Sequence, residues 1–216
     1  GSGGATITHN LGGTPAFVVY KKRTGSSSSW QVYHQSLGGT KYMNWDENTD
    51  AYTSDSTRFG GTDPTSTTIT LGTHANGATT TVLYAWCDVP GLQKFGTYTG
   101  GGSSYPFVEL GFRPAMIWIK DTTTGGTHYD WSINDSKRNP FNLGADNANS
   151  KDTLFINTND QENKGSSAWQ QIDFLSNGFR MNDSSVSVNN SGSTYIYCAW
   201  AEAPVSNLYG GSANAF

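Results

Sequence analysis

One segment of the chain occurs twice. LGGTPAFVVYK at residues 11–21 is repeated as LGFRPAMIWIK at residues 110–120, 99 positions further on (110 − 11). A second matching pair, YAWCDVP at 84–90 and CAWAEAP at 198–204, lies 114 positions apart (198 − 84). The spacing grows by about 15 residues (114 − 99), as expected if the second copy has gained length in surface loops. The repeat therefore predicts a chain built from two pseudo-equivalent halves.

The repeated segments have the composition of β-strands. AFVVYK and AMIWIK are dense in β-branched and aromatic residues, and each follows a Gly-x-x-Pro segment that delays regular pairing. Only 14% of the residues are charged, 13% are aromatic and 26 of 216 are Gly, which is typical of short strands joined by small polar turns. We therefore predict an all-β fold of two packed antiparallel sheets. Two small sandwiches in tandem are the alternative.

The two halves are expected to share one domain. The first half spans residues 7–90 and the second 108–204, and the join at 91–107 carries strand-like aromatic residues, unlike a flexible linker. Neither half alone would bury enough surface to be comfortably stable. We predict one sandwich domain over residues 1–204, followed by an extended tail at 205–216.

Charge and hydropathy narrow the classes of partner. The net charge is −4 and no block of like charge occurs, so the chain lacks the basic surface that nucleic-acid binding needs. No apolar run is long enough to span a bilayer, and no segment resembles a signal peptide. We predict neither nucleic-acid binding nor membrane insertion.

The two cysteines are not expected to pair with each other. Cys87 points to the opposite side of its strand from Trp86, whereas Cys198 lies two positions before Trp200 and shares its side. If the two strands are equivalent, the thiols face different sides of their sheets. We predict two free, buried thiols, because buried cysteine commonly acts as a small apolar residue.

The sequence contains no recognisable set of catalytic residues. Asp88 and Glu202 stand at equivalent strand ends, and Glu109 and Asp173 lie in other strands. None of them forms the acidic ladder on one strand face that β-sandwich glucanases use. These carboxylates are more simply strand-end caps or ion-pair partners. The four histidines lack metal-ligand spacing, so zinc is not expected. Because no catalytic constellation is found, we predict a non-enzymatic protein.

Two loops are rich in the oxygen ligands that Ca²⁺ prefers. They span residues 46–50 and 157–162. The candidate ligands are Asp46, Asp50, Asn157 and Asp160. Asp, Asn and Thr are also common turn residues, and no known calcium-loop spacing accompanies them. Calcium is thus the one cofactor that the sequence suggests, and a purely structural loop is the favoured alternative.

Six side chains are candidates for ligand binding. Four indoles border polar loops, where an indole face can stack on a sugar or anchor a protein interface: Trp30, Trp45, Trp131 and Trp169. Lys137 and Arg138 lie in the charged segment DSKRNP and could contact a glycan or a partner. The alternatives are packing at the rim of the core for the indoles, and a turn in which Asp135 pairs with Arg138.

Five motifs, some of which overlap the repeated segments, run through the chain: ITHNLGGTP at 7–15, LGFRP at 110–114, DSKRNP at 135–140, DFLSNGF at 173–179 and TYIYCAWAE at 194–202. Together they resemble a domain found in tail-fibre-like and other virion proteins of tailed phages, especially marine ones. The likeness extends over nearly the whole chain, and the ending NLYGGSANAF is similar to the C-terminal tail of such proteins. The resemblance implies a concanavalin-like or laminin-G-like jelly roll. FLSNGF is also similar to part of SPRY domains, which bind proteins through loops.

This resemblance implies a function on a virion and brings no catalytic residue. The leading expectation is a non-enzymatic attachment module that recognises a host surface glycan and forms a homo-oligomer in the virion. The alternatives are a structural capsid-decoration or tail-assembly protein that contacts only virion neighbours, and a polysaccharide depolymerase. Assembly would take place in the bacterial cytoplasm, whose reducing conditions fit two free thiols.

Overall fold

The computed structural model describes residues 4–25, 28–47, 52–75, 80–123, 130–138, 142, 153–159 and 172–203. These residues form fifteen strands and one helical turn, and none of their helical structure is long and apolar enough to cross a membrane. In chain order the elements are β1 (Ala5–Thr8), β2 (Pro15–Lys22), β3 (Gln31–His34), β4 (Lys41–Asn44), β5 (Thr53–Ser54), β6 (Thr68–Leu71), β7 (Thr81–Cys87), β8 (Gln93–Thr99), β9 (Phe107–Glu109), β10 (Pro114–Asp121), β11 (Ser132–Asp135), β12 (Leu154–Phe155), β13 (Ile172–Leu175), β14 (Gly178–Met181), α1 (Val186–Asn189) and β15 (Thr194–Ala201).

Two five-stranded antiparallel sheets form the centre of the molecule. The strand order is β5-β4-β3-β2-β7 in the first central sheet and β12-β11-β10-β15-β8 in the second. Two smaller antiparallel sheets, β1-β6 and β13-β14-β9, complete the described fold. The predicted all-β architecture of packed antiparallel sheets is confirmed.

The two central sheets pack face to face. Phe17 and Val19 of β2 share one core cluster with Ile196 and Cys198 of β15. Because side chains alternate between the two faces of a strand, this cluster lies between the sheets. Five half-buried indoles pack against it, which makes this layer the most tryptophan-rich part of the core.

The opposite faces of the central sheets are covered as well. Val18 and Tyr20 of β2 pack with Ile69 of β6, and Tyr195 of β15 packs with Phe179 of β14. The smaller sheets therefore form outer layers, and the part of the chain that the structure describes has four layers of sheet. Burial on both faces explains why β2 and β15 read as nearly continuous apolar runs and not as alternating ones.

The two copies of the repeat occupy corresponding places in the central sheets. Pro15 lies opposite Cys87 and Pro114 opposite Ala201, and in each copy the register shifts immediately afterwards. Four strands correspond in order, β4-β3-β2-β7 in the first sheet and β12-β11-β10-β15 in the second. The origin of the halves by duplication and the jelly-roll detail implied by the resemblance remain predictions.

Both thiols are free and buried, as predicted. Cys198 belongs to the cluster between the central sheets, and Trp200 packs against that cluster. The Cys87 sulfur lies 3.5 Å from the carbonyl oxygen of Leu11. Burial raises the pKa of both thiols above the ordinary value, so neither is a reactive thiolate at neutral pH.

Candidate functional site

The four predicted tryptophans lie in different surroundings. Trp131 is fully buried between the central sheets, and its Nε1–H donates to the carbonyl oxygen of Asn44 at 2.9 Å. Its indole has no exposed face, so the prediction that Trp131 stacks on a ligand is wrong and the core alternative holds. Trp30 and Trp45 are half-buried at the rim of the same core. Trp169 lies outside the described residues.

Trp30 and Trp131 nevertheless share one local structure. Trp30 comes directly before β3, and Trp131 comes directly before β11. The backbone N–H of each donates to a side chain in the loop that follows the next strand, β4 or β12. Asp46 is the acceptor for Trp30 and Asn157 for Trp131, both at 2.9 Å. Equivalent positions therefore adopt equivalent backbone contacts, and only the structure that covers each indole differs.

Three aromatic side chains, the exposed Tyr84 and the half-buried Trp30 and Trp86, form a row that we call the aromatic row. Ring centroids are 6.3 Å apart both between Trp30 and Tyr84 and between Tyr84 and Trp86. The corresponding interplanar angles are 31° and 26°. Tyr84 is 50% exposed, the highest value among the large apolar side chains of the described residues. Neighbouring rings of the row are therefore moderately inclined to each other, and Tyr84 presents its ring at the surface.

The row is exposed because β7 is the outer strand of its sheet. Tyr84 and Trp86 are two residues apart and point to the same face, the one that looks toward the second central sheet. Trp86 packs on Phe17 at a centroid distance of 5.6 Å, whereas Tyr84 extends to the edge and stays half exposed. Trp45 supports Trp30 edge-on at 6.0 Å. The row thus rests on the central core.

One cation and one carboxylate lie beside the row. Lys21 Nζ lies 5.5 Å from the ring centroid of Trp30 and 3.2 Å from the carboxylate of Asp46. The side chains of Lys21 and Asp46 are 33% and 36% exposed, so both reach solvent. An aromatic surface with a small number of polar groups is the usual chemistry of a site that binds small molecules.

The sequence predicts only part of this site. It predicts Trp30, Trp45 and Asp46 but not Tyr84 or Trp86. The available signal is the two-residue spacing of Tyr84 and Trp86, which places both rings on one face of a strand. That this strand lies at a sheet edge, with its face partly uncovered, is decided by the tertiary structure.

The described calcium candidates already accept protein hydrogen bonds. Asp46 and Asn157 each bind the backbone N–H of a tryptophan, which is the structural alternative foreseen for these loops. Among the residues that the structure describes, no group of three or more His, Cys, Asp or Glu side chains could hold a metal ion. Asp50 and Asp160 lie outside the described residues, so calcium binding by the complete loops stays a prediction.

Residues 135–138, the described part of the DSKRNP segment, form a turn at the end of β11. Asp135 accepts the backbone N–H groups of Lys137 and Arg138 at 3.0 and 2.9 Å, and its carboxylate pairs with Arg138 Nε at 2.7 Å. Lys137 Nζ lies 3.2 Å from the carboxylate of Glu202. The pairing of Asp135 with Arg138 in a turn is thus observed over these residues, and ligand binding by Lys137 and Arg138 stays a prediction.

The carboxylates considered for catalysis act as caps and ion-pair partners. Asp88 accepts a backbone N–H of β8 at 2.8 Å. Glu202 pairs with Arg113 at 2.9 Å, and the hydrogen bonds from Lys137 and then Arg113 hold the pKa of this carboxyl below its ordinary value. Asp173 is buried and pairs with an arginine of the β13–β14 hairpin at 2.6 Å. Each of these three carboxylates thus has a structural partner.

A small pocket lies where the two halves join. Its volume is about 240 Å³, below the usual range of ligand sites, and Leu110 and Phe112 form its apolar wall. The charged residues at its rim, Asp88 and Lys94, are already hydrogen-bonded to backbone groups. The pocket is therefore a weaker candidate for a ligand site than the aromatic row.

Fold and surface together define an all-β protein with an exposed aromatic platform at the edge of its central core. The family described as a domain of unknown function, DUF7483, matches residues 1–204, and the chain belongs to this family. The match covers both halves of the repeat. No curated protein and no solved structure matches the chain.

Proposed function

We propose that this protein is a non-enzymatic glycan-binding module, and that it serves as an attachment module on a phage virion. The observation that carries the glycan proposal is the aromatic row. The virion part follows from the resemblance of the sequence motifs to phage tail-fibre-like proteins. The partner is accordingly a glycan of the host surface.

The chemistry of the row suits a sugar better than a metal ion or a nucleic acid. Indole and phenol rings offer flat apolar faces together with polar N–H and O–H groups, so they can cover the apolar face of a sugar ring while bonding its hydroxyls. Lys21 and Asp46 stand next to Trp30 and can donate to and accept from hydroxyl groups. Tyr84 is the central and most exposed ring, so it is expected to contribute most to binding.

The experiment is binding of bead-multimerised protein to a panel of bacterial surface glycans, because multivalency reveals weak single-site affinities. Tyr84→Ala should reduce the affinity for a bound glycan by about tenfold or more. Tyr52→Ala is the matched control, since Tyr52 is a 39% exposed tyrosine next to β5 at the opposite edge of the same sheet. An unchanged affinity in Tyr84→Ala protein, or the absence of any bound glycan, would contradict the proposal.

The same assay with EDTA tests the calcium loops. Loss of binding with EDTA, and its recovery with added Ca²⁺, would assign a metal role to residues 46–50 and 157–162. Binding that is indifferent to EDTA would leave Asp46 as a structural cap beside the row.

A further inference from the structure

The outer edge of β7 differs from that of its counterpart in the second half. β15 corresponds to β7 at the 114-residue spacing, and it pairs with β10 on one side and with β8 on the other. β7 pairs with β2 on one side, and no other strand of the described residues pairs with its second side. The position on the outer side of β7 in the first central sheet thus corresponds to the position beside β15 that β8 occupies in the second.

Hydrogen-bond geometry identifies the backbone groups that point outward from β7. The Arg23 N–H donates to the Thr80 carbonyl at 2.7 Å, so these residues form a hydrogen-bonded pair. Such pairs alternate along an antiparallel ladder, and Tyr84 therefore directs its N–H and C=O toward β2. The N–H and C=O groups of Leu83 and Ala85 point away from the sheet.

The same groups are bonded in the second half. Tyr197 and Ala199 correspond to Leu83 and Ala85. Gly100 and Ser193 form a hydrogen-bonded pair of the β8–β15 ladder, since the Gly100 N–H donates to the Ser193 carbonyl at 2.8 Å. By the same alternation, the backbone groups of Tyr197 and Ala199 bond to β8.

The sequence of β7 also lacks the charged and proline residues that often protect an exposed strand edge. Its sequence, TVLYAWC, contains no charged residue, no Pro and no Gly over seven positions. Natural proteins usually place charges, Pro or bulges on such edges to prevent pairing with other chains. A seven-residue edge without charge or proline is suited to pairing with a further strand.

We propose that β7 pairs antiparallel with β7 of a second copy of this chain, about a two-fold axis at Tyr84. Tyr84 is the midpoint of the strand, so this register overlaps all seven residues and uses the outward groups of Leu83 and Ala85. The two Tyr84 residues then form a non-hydrogen-bonded pair, with Cα atoms about 4.5 Å apart. The first central sheets of the two copies become one continuous sheet.

Charge at the two ends of β7 favours a second copy as the occupant. In this register Asp88 of one copy lies opposite Thr80 of the other, and Arg23 lies on the far side of Thr80 in the same sheet. The Arg23 backbone and the Asp88 backbone of the other copy are then two strand spacings apart, about 10 Å, within reach of an arginine side chain. Two-fold symmetry places one such pair at each end of the joined strands.

If the proposed glycan function also holds, the pairing joins two aromatic rows into one longer platform. The pairing itself needs no glycan, because it sets the oligomeric state of the free protein. Failure of the dimer and failure of glycan binding are therefore separate results.

The first test is the oligomeric state by sedimentation equilibrium over a range of micromolar concentrations. The wild type should be a dimer, and Ala85→Pro should be monomeric, because proline removes an outward N–H without removing a bond to β2. Ser54→Pro is the matched control: it removes an outward N–H from β5 at the other edge of the sheet, and this protein should remain dimeric. A monomeric wild type, or an Ala85→Pro dimer of unchanged affinity, would overturn the proposal.

The second test fixes the register and does not rely on a proline variant that folds. Tyr84→Cys should form an intermolecular disulfide on mild oxidation, because symmetry places the two introduced side chains directly opposite each other. Val82→Cys is the control, since its partner in this register is Trp86, and it should not cross-link to itself. Equal cross-linking of the two variants, or none of Tyr84→Cys, would exclude this pairing.

Discussion

Trp30 and Trp131 are the same residue type in the same local structure, yet one is half-exposed and the other is fully buried. Both donate their backbone N–H to a capping side chain at 2.9 Å. Trp131 lies inside the layer between the central sheets, whereas Trp30 lies at its rim next to Tyr84. Local structure therefore does not decide which indole can meet a ligand. What covers the residue decides it, and in this molecule the exposed aromatic row belongs to the first half alone.

The titratable residues His34 and Asp135 also occupy corresponding positions and differ in what covers them. His34 pairs with Phe17 of β2, and Asp135 pairs with Met116 at the corresponding place in β10. Asp135 reaches solvent and holds the turn with Arg138, but His34 is completely buried between the central sheets. Its Nδ1 accepts the Ser36 N–H at 3.2 Å, so the ring proton is on Nε2, which faces the Tyr197 carbonyl at 3.4 Å.

The largest expected difference between the halves is in the cost of removing the two indoles. Trp131→Ala should lower the free energy of unfolding by about 3 to 5 kcal/mol, because it leaves a cavity between the sheets and an unpaired Asn44 carbonyl. Trp30→Ala should cost only about 1 kcal/mol, since water already reaches its ring. Urea denaturation of the two variants measures both values. Equal losses would break the comparison.

The second expected effect is a dependence of stability on pH that originates from His34. Burial lowers the pKa of His34 from 6.5 to about 4. Between these values the unfolded chain binds a proton that the folded protein does not, so the stability present above pH 6.5 is lost as the pH falls. The loss should reach about 2 kcal/mol by pH 5.

Denaturation of wild-type and His34→Gln protein at pH 7 and pH 5 measures this effect. The variant should lose less stability than the wild type between the two pH values, because it has no imidazole to protonate. The same pH dependence in both proteins would show that His34 is not its source.

The third effect concerns the capping side chains. Asn157→Ala should cost about 1 to 3 kcal/mol, because it leaves the N–H of the buried Trp131 without its acceptor. Asp46→Ala should cost about 0.5 to 1 kcal/mol, because water can replace the carboxylate at Trp30. Chemical denaturation at pH 7 compares them, and a larger loss for Asp46→Ala would contradict the role assigned to burial.

The smallest difference is expected at a pair of glycines for which the halves should behave alike. Gly12 and Gly111 both have positive φ, 76° and 83°, and an added Cβ would meet no atom within 4 Å at either position. Alanine at each should therefore cost about 1 kcal/mol through backbone strain alone. Thermal unfolding of the two variants checks this, and clearly unequal losses would show that the repeated turns are not equivalent.

Much of the fold can be predicted from the sequence because its signals are local. The β-branched and aromatic runs mark β2, β7, β10 and β15, and the repeat indicates that they occupy equivalent places. The alternation of side chains along β15 is enough to predict that Cys198 and Trp200 share a face. The turn in DSKRNP follows from the short distance between Asp135 and Arg138 along the chain.

The strands and turns could therefore be predicted, since each depends on neighbours a few residues apart, and side-chain alternation in the two repeated strands was enough to predict the free thiols. The tertiary structure was needed to show that Trp131 is core and that Tyr84 is exposed beside the half-buried Trp86. It was also needed to show that, among the described residues, no strand pairs with the outer side of β7 as β8 pairs with β15. Burial depends on which sheet lies over a face. Contacts between the sheets join residues about one hundred positions apart, such as Phe17 and Trp118, and local sequence patterns do not predict them.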